Sequence, residues 1–219
     1  MKKKVLIVGG KGSGQIAMSI FEDSNVISNE WDIEGYLTDI LNPGQKLGKY
    51  KVIGSTQEVL DYVNKGYYIH NTLYFNAKDK KNRVDRFKKL KIPEEANASC
   101  VHPTAIITPD VKIGKGVLIN QYALLQVGCD IKNYVHIYSN ALVGHDSIVK
   151  NYCTIGAHSI IGGRALLYEG VHAGLNCSIR EDIKVGEYVI VGMGSVVIND
   201  ISAFNTVAGN PAKIINKAG

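Results

Sequence analysis

Ile137-Tyr138-Ser139-Asn140-Ala141-Leu142-Val143-Gly144-His145-Asp146-Ser147-Ile148-Val149-Lys150-Asn151-Tyr152-Cys153-Thr154-Ile155 carries an aliphatic residue at every sixth position, with a small or aliphatic one two places before it. Followed outward, the aliphatic row runs unbroken from Val101 to Val197, seventeen positions in succession. Helices repeat every 3.6 residues and strands every two, so a period of six is neither. It is a short strand followed by a corner, repeated. The two inward residues of each strand share one face. Three sides close a triangular coil, and coils stacked about 4.8 Å apart give a prism about 27 Å tall. Each coil buries its apolar row only against its neighbours. Glycine follows the aliphatic residue at Gly114, Gly144, Gly156, Gly162, Gly174, Gly186 and Gly192. These glycines are expected to adopt corner conformations that other residues avoid.

Residues 1–98 read differently from 99–219. Lys4 to Val8 is a strand, followed by Gly9-Gly10-Lys11-Gly12-Ser13-Gly14 and a helix to about Asp23. Further strands are expected at Ile33–Leu37, Val52–Gly54 and Tyr67–Phe75. Ser55 and Glu58 form a capping box for a helix reaching Asn64, and Asp79–Leu90 is a third helix. Alternating strands and helices imply a small parallel sheet. The glycine spacing is G-x-x-G-x-G, not the G-x-G-x-x-G of dinucleotide binding, which argues against NAD. Its place between strand and helix suits a phosphate or ribose, or simply a tight turn. Asp39, after the second strand, can accept hydrogen bonds from a sugar or base.

Composition narrows the alternatives. The chain has 219 residues, 45% hydrophobic, with a net charge of +5. No run reaches the roughly 20 apolar residues that span a bilayer, and Lys2 to Lys4 lead into too short an apolar stretch for a secretion signal. A cytoplasmic protein without membrane insertion is expected. Cys100, Cys129, Cys153 and Cys177 lack metal-ligand spacing and read as free thiols. The lysines of 78–91 fit a solvated helix face rather than a nucleic-acid surface.

Val207-Ala208-Gly209-Asn210-Pro211-Ala212-Lys213 completes a pattern with the glycine turn, Asp39 and the six-residue period. The chain resembles the hexapeptide-repeat sugar acetyltransferases of the sialic-acid O-acetyltransferase and nucleotide-linked 4-amino-sugar N-acetyltransferase (bacillosamine-pathway) type. The resemblance implies an α/β N-terminal Rossmann-like domain followed by a left-handed parallel β-helix of hexapeptide repeats. That handedness is an exception to the usual right-handed crossover. It also implies acetyl-CoA as co-substrate, no metal, a nucleotide-sugar substrate and a homotrimer with active sites between prisms. Gly9, Gly12, Ser13, Gly14 and Asp39 are the expected substrate-binding residues. Thr154, Gly163, Leu175, Met193, Asn210, Pro211 and Lys213 are those expected along coenzyme A.

Acetyl transfer needs a base, and histidine is the natural one near neutral pH. His145 lies two residues after the inward Val143, at a corner and pointing outward, with Asp146 beside it to orient the ring. The resemblance carries the family's catalytic histidine–acid pair onto these two residues. Gly163, one coil on, should stack about 5 Å above His145 and offer its N–H to the thioester carbonyl. The sequence departs from the family at Ser13, where some members have histidine. It departs again at Asn76-Ala77-Lys78-Asp79, where many have a Gly-Asn turn, and at Thr154, where a second histidine is usual. His70, His102, His136, His158 and His172 read as structural, with His158 near the coenzyme face.

The expected reaction is N-acetylation of a UDP-linked 4-amino sugar. O-acetylation of sialic acid would use the same base. A carbonic-anhydrase-like metalloenzyme would need three convergent histidines, and a non-catalytic scaffold would not need His145.

Overall fold

The computed structural model describes residues 2–75 and 77–217, the side chain of Lys217 excepted. Asn76, part of the departing loop noted above, and the last two residues of the second predicted domain lie outside the described residues.

The six-residue period builds three flat faces. Two-residue strands pair in parallel with the strand 18 residues later, as in Leu124↔Leu142, Leu142↔Ile160 and Ile160↔Ser178. The first face has eight strands, the second six and the third five. Inward residues such as Ile119, Ile137, Ile155, Val143, Ile161, Val149 and Leu167 are fully buried. Cys129, Cys153 and Cys177 occupy the small inward positions and, like Cys100, are free thiols.

The corner glycines are needed for a different reason from the one expected. Their φ angles are not in the left-handed region. A Cβ on Gly144 would meet Gly163 N at 2.5 Å, and one on Gly162 would meet Glu181 N at 2.4 Å. Glycine is therefore required by the approach of the next coil. The left-handed position falls two residues later, on Tyr134, Asn140, Asp146, Tyr152, His158, Arg164, Asn176, Asp182 and Tyr188.

At the top, the register tightens. Val191 pairs with Val207, and Val185 bridges to Ile201. The last coil is thus two residues shorter than the rest. Lys213–Lys217 then turns back antiparallel along Asn205–Ala208, while Val196 N donates to Gly209 O and Ala212 N to Val196 O.

The front half contains β1 (Lys3–Val8), α1 (Ser13–Ser28), β2 (Trp31–Leu37), β3 (Lys46–Leu47), β4 (Tyr50–Gly54), α2 (Val59–Asn64), β5 (Tyr68–Asn71) and α3 (Lys80–Lys89). The sheet order is β3-β4-β2-β1-β5. All pairs are parallel except the β3–β4 hairpin, which the sequence reading missed. Helix α1 is longer than expected and β5 shorter. The Ser55–Glu58 box forms, with Ser55 N donating to Glu58 Oε2 at 2.7 Å, but it caps a 3-10 turn that leads into α2.

The two halves share one core along the first face and the corner where the third face turns into it. Tyr74 and Phe87 pack edge-on against Tyr152 and Tyr134, whose rings stack at 4.7 Å. Phe75 lies 4.0 Å from the His136 ring. Lys80, only 4% exposed, donates to Thr154 Oγ1 at 2.8 Å, and burial pushes its ammonium down to about 7. His70 donates from Nδ1 to Ala98 O at 2.9 Å, and burial lowers its pKa to about 4.

That shift sets an acid limit. The unfolded histidine takes up its proton near 6.5 and the folded one only near 4, so stability falls as pH drops through this window. His70 contributes a loss of about 2 kcal/mol by pH 5 and about 3 kcal/mol below 4. Urea unfolding at pH 7.5 and 5, with the His70 ring followed by NMR, checks this. A ring that titrates near 6.5 in the folded protein would contradict it.

Candidate active site

The period places His145 at the corner between the strands Leu142–Val143 and Ile148–Val149, on the second and third faces. Its backbone N–H donates to Gln126 Oε1 at 3.0 Å. The next residue, Asp146, takes φ 58°, so its carboxylate swings back beside the imidazole. Asp146 Oδ2 lies 2.8 Å from His145 Nδ1. An ionised carboxylate only accepts, so Nδ1 carries the hydrogen and Nε2 keeps its lone pair. The His145 and Asp146 side chains are 44% and 62% exposed.

Gly163 lies directly over this ring: an added Cβ would stand 2.6 Å from His145 Nε2. Its N–H donates to no other described backbone group. The expected stacking of Gly163 over His145 is what the structure places there. The corner can thus hold a base oriented by a carboxylate, with a hydrogen-bond donor one coil above.

The residues expected along coenzyme A separate into two groups. Leu175 and Met193 stand on the corner between the first and second faces, 48% and 75% exposed. Asn210, Pro211 and Lys213 are exposed at the top of the prism, with Asn210-Pro211 in cis. Thr154 must be withdrawn from the set. It is fully buried beneath the front half, and its hydroxyl is engaged by Lys80 and donates to Phe75 O at 3.4 Å. Its strand belongs to the first face, which the front half covers. His136 and His172 flank it there in register, while His158 is exposed at a corner.

In the front half, Gly9, Gly14 and Gly12 shape the turn. A Cβ on Gly9 would strike Thr72 Oγ1, and Gly12 takes φ 72° as the N-cap of α1. A Cβ on Gly14 would meet Gly9 C at 3.0 Å, so helix and strand approach closely. The turn lines a cavity of about 210 Å³ with Lys11, Ser13, Thr72, Leu73 and Arg83. No acidic residue occupies the first turn of α1, which leaves its N-terminus suited to an anion. The Ser13 hydroxyl meets the Tyr138 phenol. A second cavity, about 380 Å³, shares Leu73 and Arg83 and is lined by Asp39, Thr56 and Arg86 among others. Arg83, Arg86 and Thr56 escaped the sequence reading because helix α3 and the loop after β4 join the turn only in three dimensions.

Asp39 is already engaged: its carboxylate accepts the Thr56 N–H at 2.9 Å and the Thr56 hydroxyl. It caps the 3-10 turn from across the sheet. Asp39→Ala is therefore expected to lower stability by about 1 kcal/mol, read from urea unfolding without any ligand. No change would leave Asp39 to ligand binding alone.

Among the described residues, no helix is long and apolar enough to cross a membrane, and no group of three or more His, Cys, Asp or Glu is placed to hold a metal.

No family model matches the chain. The serine acetyltransferase of Escherichia coli (strain K12) is 30% identical over 113 residues, 51% of this chain and 38% of that protein. The chain thus matches well under half the length of this curated relative. The acetyltransferase domain of PglB from Neisseria gonorrhoeae, solved with acetyl coenzyme A, superposes with a TM-score of 0.84 at 24% identity, covering 98% of this chain and 100% of that one. The chain shares the fold of that acetyltransferase domain. A variant of perosamine N-acetyltransferase from Caulobacter crescentus, solved with CoA and GDP-perosamine, has a TM-score of 0.81 at 21% identity over 97% of both chains.

Proposed function

We propose that this protein transfers an acetyl group from acetyl-CoA to the amine of a nucleotide-linked 4-amino sugar, with UDP as the nucleotide and His145 as general base. The observation that carries the reading is the His145–Asp146 pair beneath Gly163 at an open corner. Similarity to the acetyltransferases named above, whose structures hold acetyl-CoA, CoA or a nucleotide sugar, supports it. On this reading the front half is a Rossmann-like domain and the prism a left-handed β-helix.

His145 Nε2 takes a proton from the amine as its nitrogen attacks the thioester carbonyl carbon. The Gly163 N–H donates to the oxygen as it becomes anionic. The carbon–sulfur bond then breaks, and the imidazolium returns the proton to the departing thiolate. The products are an amide and a free thiol. Asp146 holds the ring and stabilises its charged form. Gly9, Gly12, Ser13 and Gly14 with Arg83 cradle the diphosphate at the N-terminus of α1, and the second cavity takes the nucleoside. Leu175, Met193, Asn210, Pro211 and Lys213 line the coenzyme.

A homotrimer fits this arrangement. The front half covers the first face, whereas His145 stands on the corner between the other two. The outward row of the second face is Ile106, Leu124, Leu142, Ile160, Ser178 and Val196, with Ile106 and Ile160 59% and 49% exposed. A second copy seated on that apolar face brings its own nucleotide cavity toward His145.

Thiol release from acetyl-CoA against UDP-, GDP- and dTDP-linked 4-amino sugars and free sialic acid tests the reading. Turnover on one nucleotide sugar is expected, with His145→Ala slower by at least about 10²-fold. Gly163→Ala, which displaces the ring, should cost about 10²-fold in kcat while leaving the circular dichroism spectrum unchanged. Activity on sialic acid alone would replace N- with O-acetylation.

A further inference from the structure

Arg164 occupies the corner directly above His145 and has no part in the chemistry described so far. Its backbone N–H donates to His145 O at 2.7 Å. Its side chain lies along Asp182 one coil higher, Nε to Oδ1 at 2.7 Å and Nη2 to Oδ2 at 2.8 Å. This side-on pair uses two of the five guanidinium donors. Nη1 is left over, and it lies 3.4 Å from His145 Nε2. A guanidinium only donates, so it faces the imidazole lone pair, the site an acceptor proton must reach. The contact is long for an N–H bond and yields readily to a better partner.

We infer that Arg164 caps the base until the acceptor arrives and then selects it, donating to a hydroxyl on the ring carbon next to the reacting amine. The inference rests on the acetyl-transfer reading above. An amine has one lone pair, which the attack on the thioester needs. Beside Nε2 its remaining N–H would meet the Arg164 donors head-on. Arg164 must therefore turn to a different atom, and that atom must be a hydrogen-bond acceptor close to the amine. A vicinal ring oxygen lies about one hydrogen-bond length from the amine nitrogen, comparable to the distance between Nη1 and Nε2.

Charge decides which oxygen. Asp182 pairs with Arg164 and holds it in its charged form, with Glu181 and Asp146 also close enough to act on it. The charge of Arg180 also acts on Asp182. Three carboxylates thus face two guanidiniums around this corner. A neutral hydroxyl is accommodated there, whereas a carboxylate on the acceptor would be opposed.

The test uses two acceptors, a nucleotide-linked 4-amino sugar with the adjacent hydroxyl and its deoxy counterpart. Wild type is expected to show about a tenfold lower kcat/KM on the deoxy sugar, the scale of one hydrogen bond. Arg164→Ala should treat the two alike. Arg164→Lys, which keeps the charge beside Asp182 but loses Nη1, should do the same. Without any sugar, acetyl-CoA hydrolysis should rise in Arg164→Ala, because water then reaches Nε2, and fall back when His145→Ala is added. A wild-type discrimination ratio retained by both Arg164 variants would overturn the inference. If wild type acetylates neither sugar, the amino-sugar reading fails separately. The hydrolysis arm then decides the cap, and an unchanged rate in Arg164→Ala overturns it.

Discussion

Everything in this molecule depends on the 18-residue register between successive coils of the prism. With that spacing, inward aliphatic residues stack on their own kind, and each corner sits above the corresponding corner of the coil below. The same constraint that buries the core therefore builds the site. His145, Gly163 and Asp182 come from successive coils, and backbone bonds such as Arg164 N to His145 O and Asp182 N to Gly163 O fix their spacing. A site on stacked strands is held more rigidly than one on loops.

The period was legible because it is local: each residue reports its own inward or outward direction. His145 and Asp146 could be placed at an outward corner for the same reason. What escaped depended on which outward face meets something else. Thr154 has the same kind of position as its outward neighbours, but its face is covered by the front half, and only the three-dimensional docking of Lys80 reveals that. Asp39 could be placed after β2, but the loop carrying Thr56 had to fold back before its carboxylate was seen to be engaged. The glycines were located correctly in sequence for a reason the structure replaces. The neighbouring coil excludes a side chain, while Asp146 and its equivalents bear the left-handed backbone.

The join between the halves is chemically unlike either interior. Aromatic rings from both sides pack edge-on around the stacked Tyr134 and Tyr152, and these contacts combine area with fixed geometry. Beside them lie Lys80, His70 and His136, all pushed toward their neutral forms, chiefly by burial. Burying polar groups in this way is costly unless they are paired or uncharged. The seam therefore holds the front half at a set position against the prism and, among the described residues, no ion pair with both partners buried crosses it.

The shortened last coil has a consequence for how the molecule behaves in a crowded solution. A stack of parallel strands ends in a row of unpaired backbone groups, and such an edge invites another chain to continue it. Here the coil contracts by two residues, the segment from Gly209 to Ala212 closes over Val196, and an antiparallel strand seals the first face. A reversed strand out of register with the coils beneath cannot template the next parallel layer. The upper end of the prism is thereby protected from end-to-end polymerisation into cross-β fibres.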